Sequence, residues 1–207
     1  MEKEVLQTLI RSKFNNIPTT TLQDFSEDIR MICDVQYYFS PEDSRILTDK
    51  TLDYPIIQSL DKVEIDELRN LAPEDNHSLL KNGDLVVDIT DVDRVSLLLT
   101  DECSRCYADP GMFIITAKST EHAVFTYWYL TLDEVSAYIN VDPVTRIRSV
   151  PVPISSYLVS REFTKFILDT MIVESAVISN ANEISDRIRM LRGEILEEIA
   201  NKVGTCQ

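Results

Sequence analysis

Read back from its carboxyl end, the chain carries a long helical pattern. Between Ser160 and Val203 there is no proline and a single glycine, Gly193. Phe163, Phe166, Ile167, Met171 and Ile172 form an apolar band. Val177, Ala181, Ile184, Ile188, Leu191, Ile195, Ile199 and Val203 continue it at steps of three and four residues. Such steps hold one stripe on one side of an α-helix. Ser179-Asn180-Ala181-Asn182-Glu183 is the weakest helical point. Either Asn182 caps a second helix or one helix runs through; a break or kink is favoured. An unbroken helix of about 40 residues would be about 60 Å long, longer than a body of this size.

The amino end is also helical in pattern. Val5, Leu6, Leu9, Ile10 and Phe14 share one side of a helix over 2–14, stopped by Asn15-Asn16-Ile17-Pro18. Thr21, with Asp24 three residues on, reads as the cap of a second helix carrying Leu22, Phe25, Ile29 and Ile32 and ending near Cys33. Residues 44–62 hold short apolar pieces, Ile46-Leu47 and Ile56-Ile57, without a clear period. Ile65, Leu68 and Leu71 suggest a short helix, stopped by Pro73.

From Asn82 the period changes to two. Asn82-Gly83 marks a turn, and strands are predicted at 85–89, 95–99, 112–116 and 123–130. Lys118-Ser119-Thr120-Glu121 would join the last two as a hairpin. Large residues on both faces imply a sheet covered at least partly on both sides. Thr131-Leu132-Asp133-Glu134 has the form of a capping box opening a short helix through Tyr138 or Ile139. Arg146–Val150 reads as a fifth strand, ended by Pro151-Val152-Pro153.

These elements predict an α+β fold. A mainly antiparallel sheet is flanked by N-terminal helices and by a long C-terminal helix or helical hairpin. Three segments are expected: a helical one over 1–72, a β-rich acidic core over 73–154, and a helical oligomerisation or docking segment over 155–207. At 207 residues and 44 % apolar composition the chain can bury a real core. No apolar run reaches the ~18 residues of a membrane span, and the acidic start lacks the apolar core of a secretory signal. The expected setting is the cytoplasm, or a particle assembled there.

Charge sharpens the picture. The net charge is −15, of which residues 41–110 carry −10, against −2 for 1–40 and −3 for 111–207. Such a middle repels a phosphate backbone, so direct nucleic-acid binding is not expected. Asp84, Asp88, Asp91 and Asp93 are a candidate acidic docking surface for a basic partner. Arg187, Arg189 and Arg192 precede Glu194, Glu197 and Glu198. Opposite blocks on one helix suit antiparallel or staggered pairing with a second copy.

Reactive constellations are scarce. Cys103-Ser104-Arg105-Cys106 offers two thiolates for zinc, but no second such pair completes four ligands. The residues after it read as a turn into a strand, not the helix start that activates a redox cysteine. His77 and His122 stand in no metal-protease spacing, and no glycine-rich phosphate loop or nucleophile elbow is present.

The leading expectation is a non-enzymatic assembly subunit joining other protein chains, as a homo-oligomer or in a multi-subunit complex. A virus or phage particle is one such setting. Its interaction residues are Ile184, Ile188, Leu191, Ile195 and Ile199, and it needs no cofactor. Two alternatives stand beside it: an acidic inhibitor that imitates nucleic-acid charge, and a metal-binding protein using zinc at Cys103 and Cys106.

Overall fold

The computed structural model describes residues 1–33, 37–39, 45–48, 52–58, 71–73, 77–101, 106–173, 176–178 and 180–181. They form the expected α+β fold. Helix α1 (Lys3–Lys13) buries Leu6 and Ile10, and ends where Asn15 and Asn16 take left-handed backbone angles (φ 53° and 60°). Asparagine tolerates that region better than most residues.

Strand β1 (Thr19–Thr21) leads into a single turn of helix, α2 (Leu22–Phe25). The Thr21 hydroxyl accepts the Asp24 amide at 3.1 Å, as a cap should. We expect Thr21→Ala to cost about 1 kcal/mol in a urea titration; no loss would mean that packing alone sets this turn.

The expected continuation of this helix to Cys33 is corrected. After Phe25 the chain turns and runs as strand β2 (Asp28–Ile32). Leu22, Phe25, Ile29 and Ile32 fit a helical step, yet Ile29 and Ile32 end on opposite faces of a sheet. Pairing with β10 (Met112–Thr116) outweighs the local pattern.

The central sheet has the order β2-β10-β7-β8-β5, with β7 spanning Asp84–Asp88, β8 Val95–Leu98 and β5 Ile56–Ile57. Neighbours are antiparallel except β5, which lies parallel to β8. Gly83 (φ 90°) and Gly111 (φ 94°) make the turns into β7 and β10, angles that glycine takes at little cost. Among the described residues there are also three two-stranded ribbons. Strand β1 pairs with β11 (Pro151–Pro153), and β3 (Tyr37–Phe39) with β6 (Leu71–Pro73). Strand β4 (Arg45–Leu47) lies parallel to β9 (Cys106–Ala108). Of the short helix expected around Ile65, Leu68 and Leu71, the first two lie outside the described residues and Leu71 is in β6.

Both faces of the sheet are covered. Leu85, Val87, Phe113 and Ile115 point into the larger core, beneath the helices. Val86, Ile114 and Met112 point the other way, onto Leu47, Cys106 and Ala108 of the β4–β9 ribbon. The period of two in β7 and β10 thus divides one sheet between two cores.

The largest correction is at 123–130. This stretch is not a strand but most of helix α3 (Thr120–Leu130). Ser119 is its cap, so Lys118–Glu121 forms no hairpin. Ala123, Val124, Phe125, Thr126, Tyr127, Tyr129 and Leu130 are all buried. A helix buried all round shows no amphipathic period, and its aromatic and β-branched residues imitate a strand. Phe125 stacks on Tyr129 with centroids 5.5 Å apart and meets Phe25 edge-on at 5.4 Å. The Tyr129 hydroxyl donates to the Pro151 carbonyl, tying α3 to β11.

Thr131 closes α3 instead of opening the next helix, donating its hydroxyl to the Trp128 carbonyl at 2.8 Å. Leu132 holds the cap position of α4 (Asp133–Ile139). The fifth strand expected at Arg146–Val150 is instead α5 (Pro143–Arg146) followed by a 3₁₀ turn (Ile147–Ser149). Asp142 caps α5 and Pro143 opens it, a combination that favours a helix start. Helix α6 covers 161–173, and residues 176–178 and 180–181 are also helical.

Candidate interaction surface

Helix α6 starts where the Ser160 hydroxyl accepts the Phe163 amide at 3.2 Å. Phe163, Ile167 and Met171 recur at four-residue steps and are buried. Phe163 meets Trp128 edge-on at 5.3 Å and Phe125 at 6.1 Å. This face fixes the helix to α3.

A second apolar face of the same helix is open. Phe166 is 67 % exposed, Val173 63 % and Val177 62 %. Steps of seven and four residues put these three in one line, about 90° around the axis from the buried face at 100° per residue. Val173, Val177 and Ile178 form one wall of a cleft of about 400 Å³. Leu52, Pro55, Val95 and Tyr127 form the rest, with Asp53 and Asp93 at the rim. Phe166, Val173 and Val177 together make an exposed apolar strip along the helix.

The expected interaction residues Ile184, Ile188, Leu191, Ile195 and Ile199 lie outside the described residues. In sequence they continue the open line from Val177 through Ala181. Phe166 and Val173 belong to the same surface, and their spacing from Val177 was the signal for it. Leu52, Pro55, Val95 and Tyr127 carried no such signal, because the fold brings them from separate elements.

The aspartates divide into two kinds. Asp84 and Asp88 sit at the two ends of β7, buried, each with an arginine. Arg30 reaches across the sheet to Asp84 at 3.7 Å and donates to the His77 and Leu79 carbonyls, both at 2.7 Å, and to the Thr116 hydroxyl at 3.1 Å. Burial pushes the Asp84 carboxyl above its ordinary range, against the Lys81 amide, Thr116 and Arg30, which lower it. Arg94 bridges Asp88 at 3.3 Å and Asp53 at 3.1 Å. Asp84 and Asp88 are therefore buried at the sheet's ends beside arginines, whereas Asp93 is exposed at the β7–β8 turn beside the half-exposed Asp91.

Cys106 is buried in β9, and Cys103 lies outside the described residues. Among the described residues no three of histidine, cysteine, aspartate and glutamate cluster as a metal site. A compact polar group sits at the start of α3. The Ser119 hydroxyl lies 2.9 Å from His122 Nδ1 and donates to Glu121 at 2.9 Å, while accepting the His122 amide at 3.4 Å. This is the arrangement of a helix cap. Arg146 and Arg148, expected in a fifth strand, are spent on the chain itself. Arg146 lies over the Tyr138 ring at 4.9 Å, and Arg148 donates to the Ile29 carbonyl at 2.9 Å.

No known protein family matches the chain, and no curated protein sequence does. Solved structures do match by fold. One is a chain from work on the complex assembly and conformational transition of the type I restriction-modification system. It is 12 % identical, with a TM-score of 0.52, over 93 % of this chain and 50 % of that one. Another is the HsdS subunit from Thermoanaerobacter tengcongensis, 12 % identical, with a TM-score of 0.52, over 86 % of this chain and 44 % of the subunit. The fold is thus an α+β fold also seen in that HsdS subunit and in a chain of a type I restriction-modification complex. The chain spans about half the length of the solved chains it matches.

Proposed function

We propose that this chain is a non-catalytic subunit that works by joining other protein chains in a multi-subunit complex in the cytoplasm, as one half of an S subunit would. The open apolar line Phe166–Val173–Val177 carries the reading, since a helix already fixed on one face has a second greasy face to cover. Two copies would together supply the length of one S subunit. That setting replaces the virus or phage particle as the one carried forward, because the fold likeness favours a restriction-modification assembly. The zinc site and the charge-mimic inhibitor lose support, as Cys106, Asp84 and Asp88 are buried.

Replacing Ile188 and Ile195 by aspartate tests the reading. Native mass spectrometry should show the associated species lost while the melting temperature of the body holds. An unaltered assembly state would count against it.

A second reading rests on the same likeness: a restriction-modification subunit has reason to meet DNA. The net charge of −15 opposes this for the free chain. We expect no anisotropy change when a labelled duplex is titrated with the chain at ~0.15 M salt; a saturable rise would favour the second reading.

A further inference from the structure

The turn into β7 carries a chemistry that the sheet does not use. Asn82-Gly83 is the one asparagine–glycine pair in the chain. Lys81–Asp84 is a tight turn, closed by the Asp84 amide donating to the Lys81 carbonyl at 3.0 Å, with Gly83 at φ 90° as its third residue. A glycine after asparagine has no side chain to shield its amide nitrogen. That nitrogen reaches the asparagine carboxamide whenever the backbone can rotate. Here both groups are held. The Gly83 amide donates to the Leu98 carbonyl of β8 at 2.8 Å. The Asn82 side-chain amide, on an exposed residue, donates to Asp101 Oδ1 at 3.1 Å. The attacking nitrogen and the leaving amine are thus each tied to a partner elsewhere in the chain.

We propose that Asn82 is a site of spontaneous deamidation which the folded turn holds shut. In the open turn the Gly83 nitrogen gives its proton to water and bonds to Asn82 Cγ. The Cγ–Nδ2 bond breaks, the amine takes up a proton and leaves as ammonia, and a cyclic imide remains. Water then opens either carbonyl of that ring, giving aspartate or isoaspartate. Asparagine and water become the acid and ammonia, with no redox step. Access is governed by how often the two hydrogen bonds open. The product does not close the turn again. Aspartate at 82 sets a carboxylate where the amine donated to Asp101, so attraction becomes repulsion. Isoaspartate adds a methylene to the backbone between the Lys81 carbonyl and the Asp84 amide. Asp84 is the buried anion at this end of β7, and the Lys81 amide donates to it at 2.9 Å. The modification therefore acts on the same site that Arg30 holds.

The test follows Asn82 by peptide mass spectrometry in the full chain, kept folded in buffer or unfolded in guanidinium at the same neutral pH. Unfolded, Asn82 should be modified faster than any other asparagine of the chain. Folded, its rate should fall about tenfold or more. Asp101→Ala, which releases the leaving amine, should raise the folded rate severalfold and leave the unfolded rate unchanged. Circular dichroism melting confirms that this variant is folded. Asn82→Asp should melt below Asn82→Ser, which carries no charge. Equal rates in the folded and unfolded chain would overturn the proposal, because the turn would then be no lock. So would an Asn82 that stays intact in guanidinium, or an Asp101→Ala folded rate equal to that of the unmodified chain. Matching melting temperatures for Asn82→Asp and Asn82→Ser would overturn the effect on β7.

Discussion

Phe166→Asp together with Val173→Asp should convert the proposed assembly to single chains, with the monomer's melting temperature within a few degrees of the unmodified value. Both side chains are more than three-fifths exposed in the isolated chain, so their replacement removes nothing from the chain's own core. In an assembled helix pair the same positions are covered. Burying a large aliphatic or aromatic side chain is worth roughly 1.5–3 kcal/mol, and a carboxylate trapped there adds a desolvation cost. Two sites per chain, each meeting a partner copy, put the loss of affinity above roughly a thousandfold. Analytical ultracentrifugation over a hundredfold range of concentration reads it directly. The contrast with the buried face sharpens the test. Ile167→Asp, one residue from Phe166 in sequence, should unfold α6 from α3 and lower stability in the monomer itself.

Arg30→Ala should be among the most destabilising single changes in the described body, at roughly 3–5 kcal/mol, the range for breaking a buried ion pair by removing one partner. Arg30 crosses three strands, since its own strand β2 pairs with β10, and β10 with β7. Its loss leaves the His77 and Leu79 carbonyls without this donor and removes the arginine from Asp84, which is 1 % exposed and then has Lys81 as its neighbouring cation. Guanidinium unfolding monitored by Trp128 fluorescence measures the effect.

The same site sets a pH dependence. Burial holds the folded Asp84 carboxyl above its ordinary value of 3.8, so the folded chain binds this proton more tightly than the unfolded one. Stability from Asp84 is therefore greatest below that value. It declines as pH rises through the interval up to the raised value, then stays constant. The difference in stability between the unmodified chain and Asp84→Asn, followed across the acid range, should show this slope. A difference independent of pH would mean that burial does not perturb the group.

Which parts of the fold were legible follows from how each residue is buried. Helix α1 has one wet face, so Leu6 and Ile10 against Glu4 and Lys13 gave it away. Strands β7, β8 and β10 were legible from β-branched runs bounded by turn residues, with Asn82-Gly83 and Pro110-Gly111 as punctuation. Helix α3 was not, because its position between sheet and α6 removes the polar face on which periodicity depends. Ser119, Glu121 and His122 marked its start, but the β propensity of Phe125, Thr126, Tyr127 and Trp128 pointed the other way. Strand β2 was misread for the opposite reason: Leu22, Phe25, Ile29 and Ile32 fit a helical step by coincidence, and only the long-range pairing with β10 decides. Arg146–Val150 has the composition of a strand, and only Asp142 followed by Pro143 marks the helix that opens just before it.

The candidate surface was legible in outline. The apolar band over 163–172 and the stripe beyond it were visible as one pattern. The sequence could not show that two faces of one helix were superimposed there, Phe163–Ile167–Met171 for the body and Phe166–Val173–Val177 for solvent. The acidic cluster was visible too, but charge count alone could not separate Asp84 and Asp88, held by Arg30 and Arg94, from the exposed Asp93. That separation depends on which end of a strand meets which arginine, and so on strand order.

The mass of the native, unmodified chain at several concentrations tests the account most directly. It predicts a species of at least twice the 23.7 kDa of one chain, dissociating on dilution. A mass of one chain at every concentration, up to the highest attainable, would contradict it.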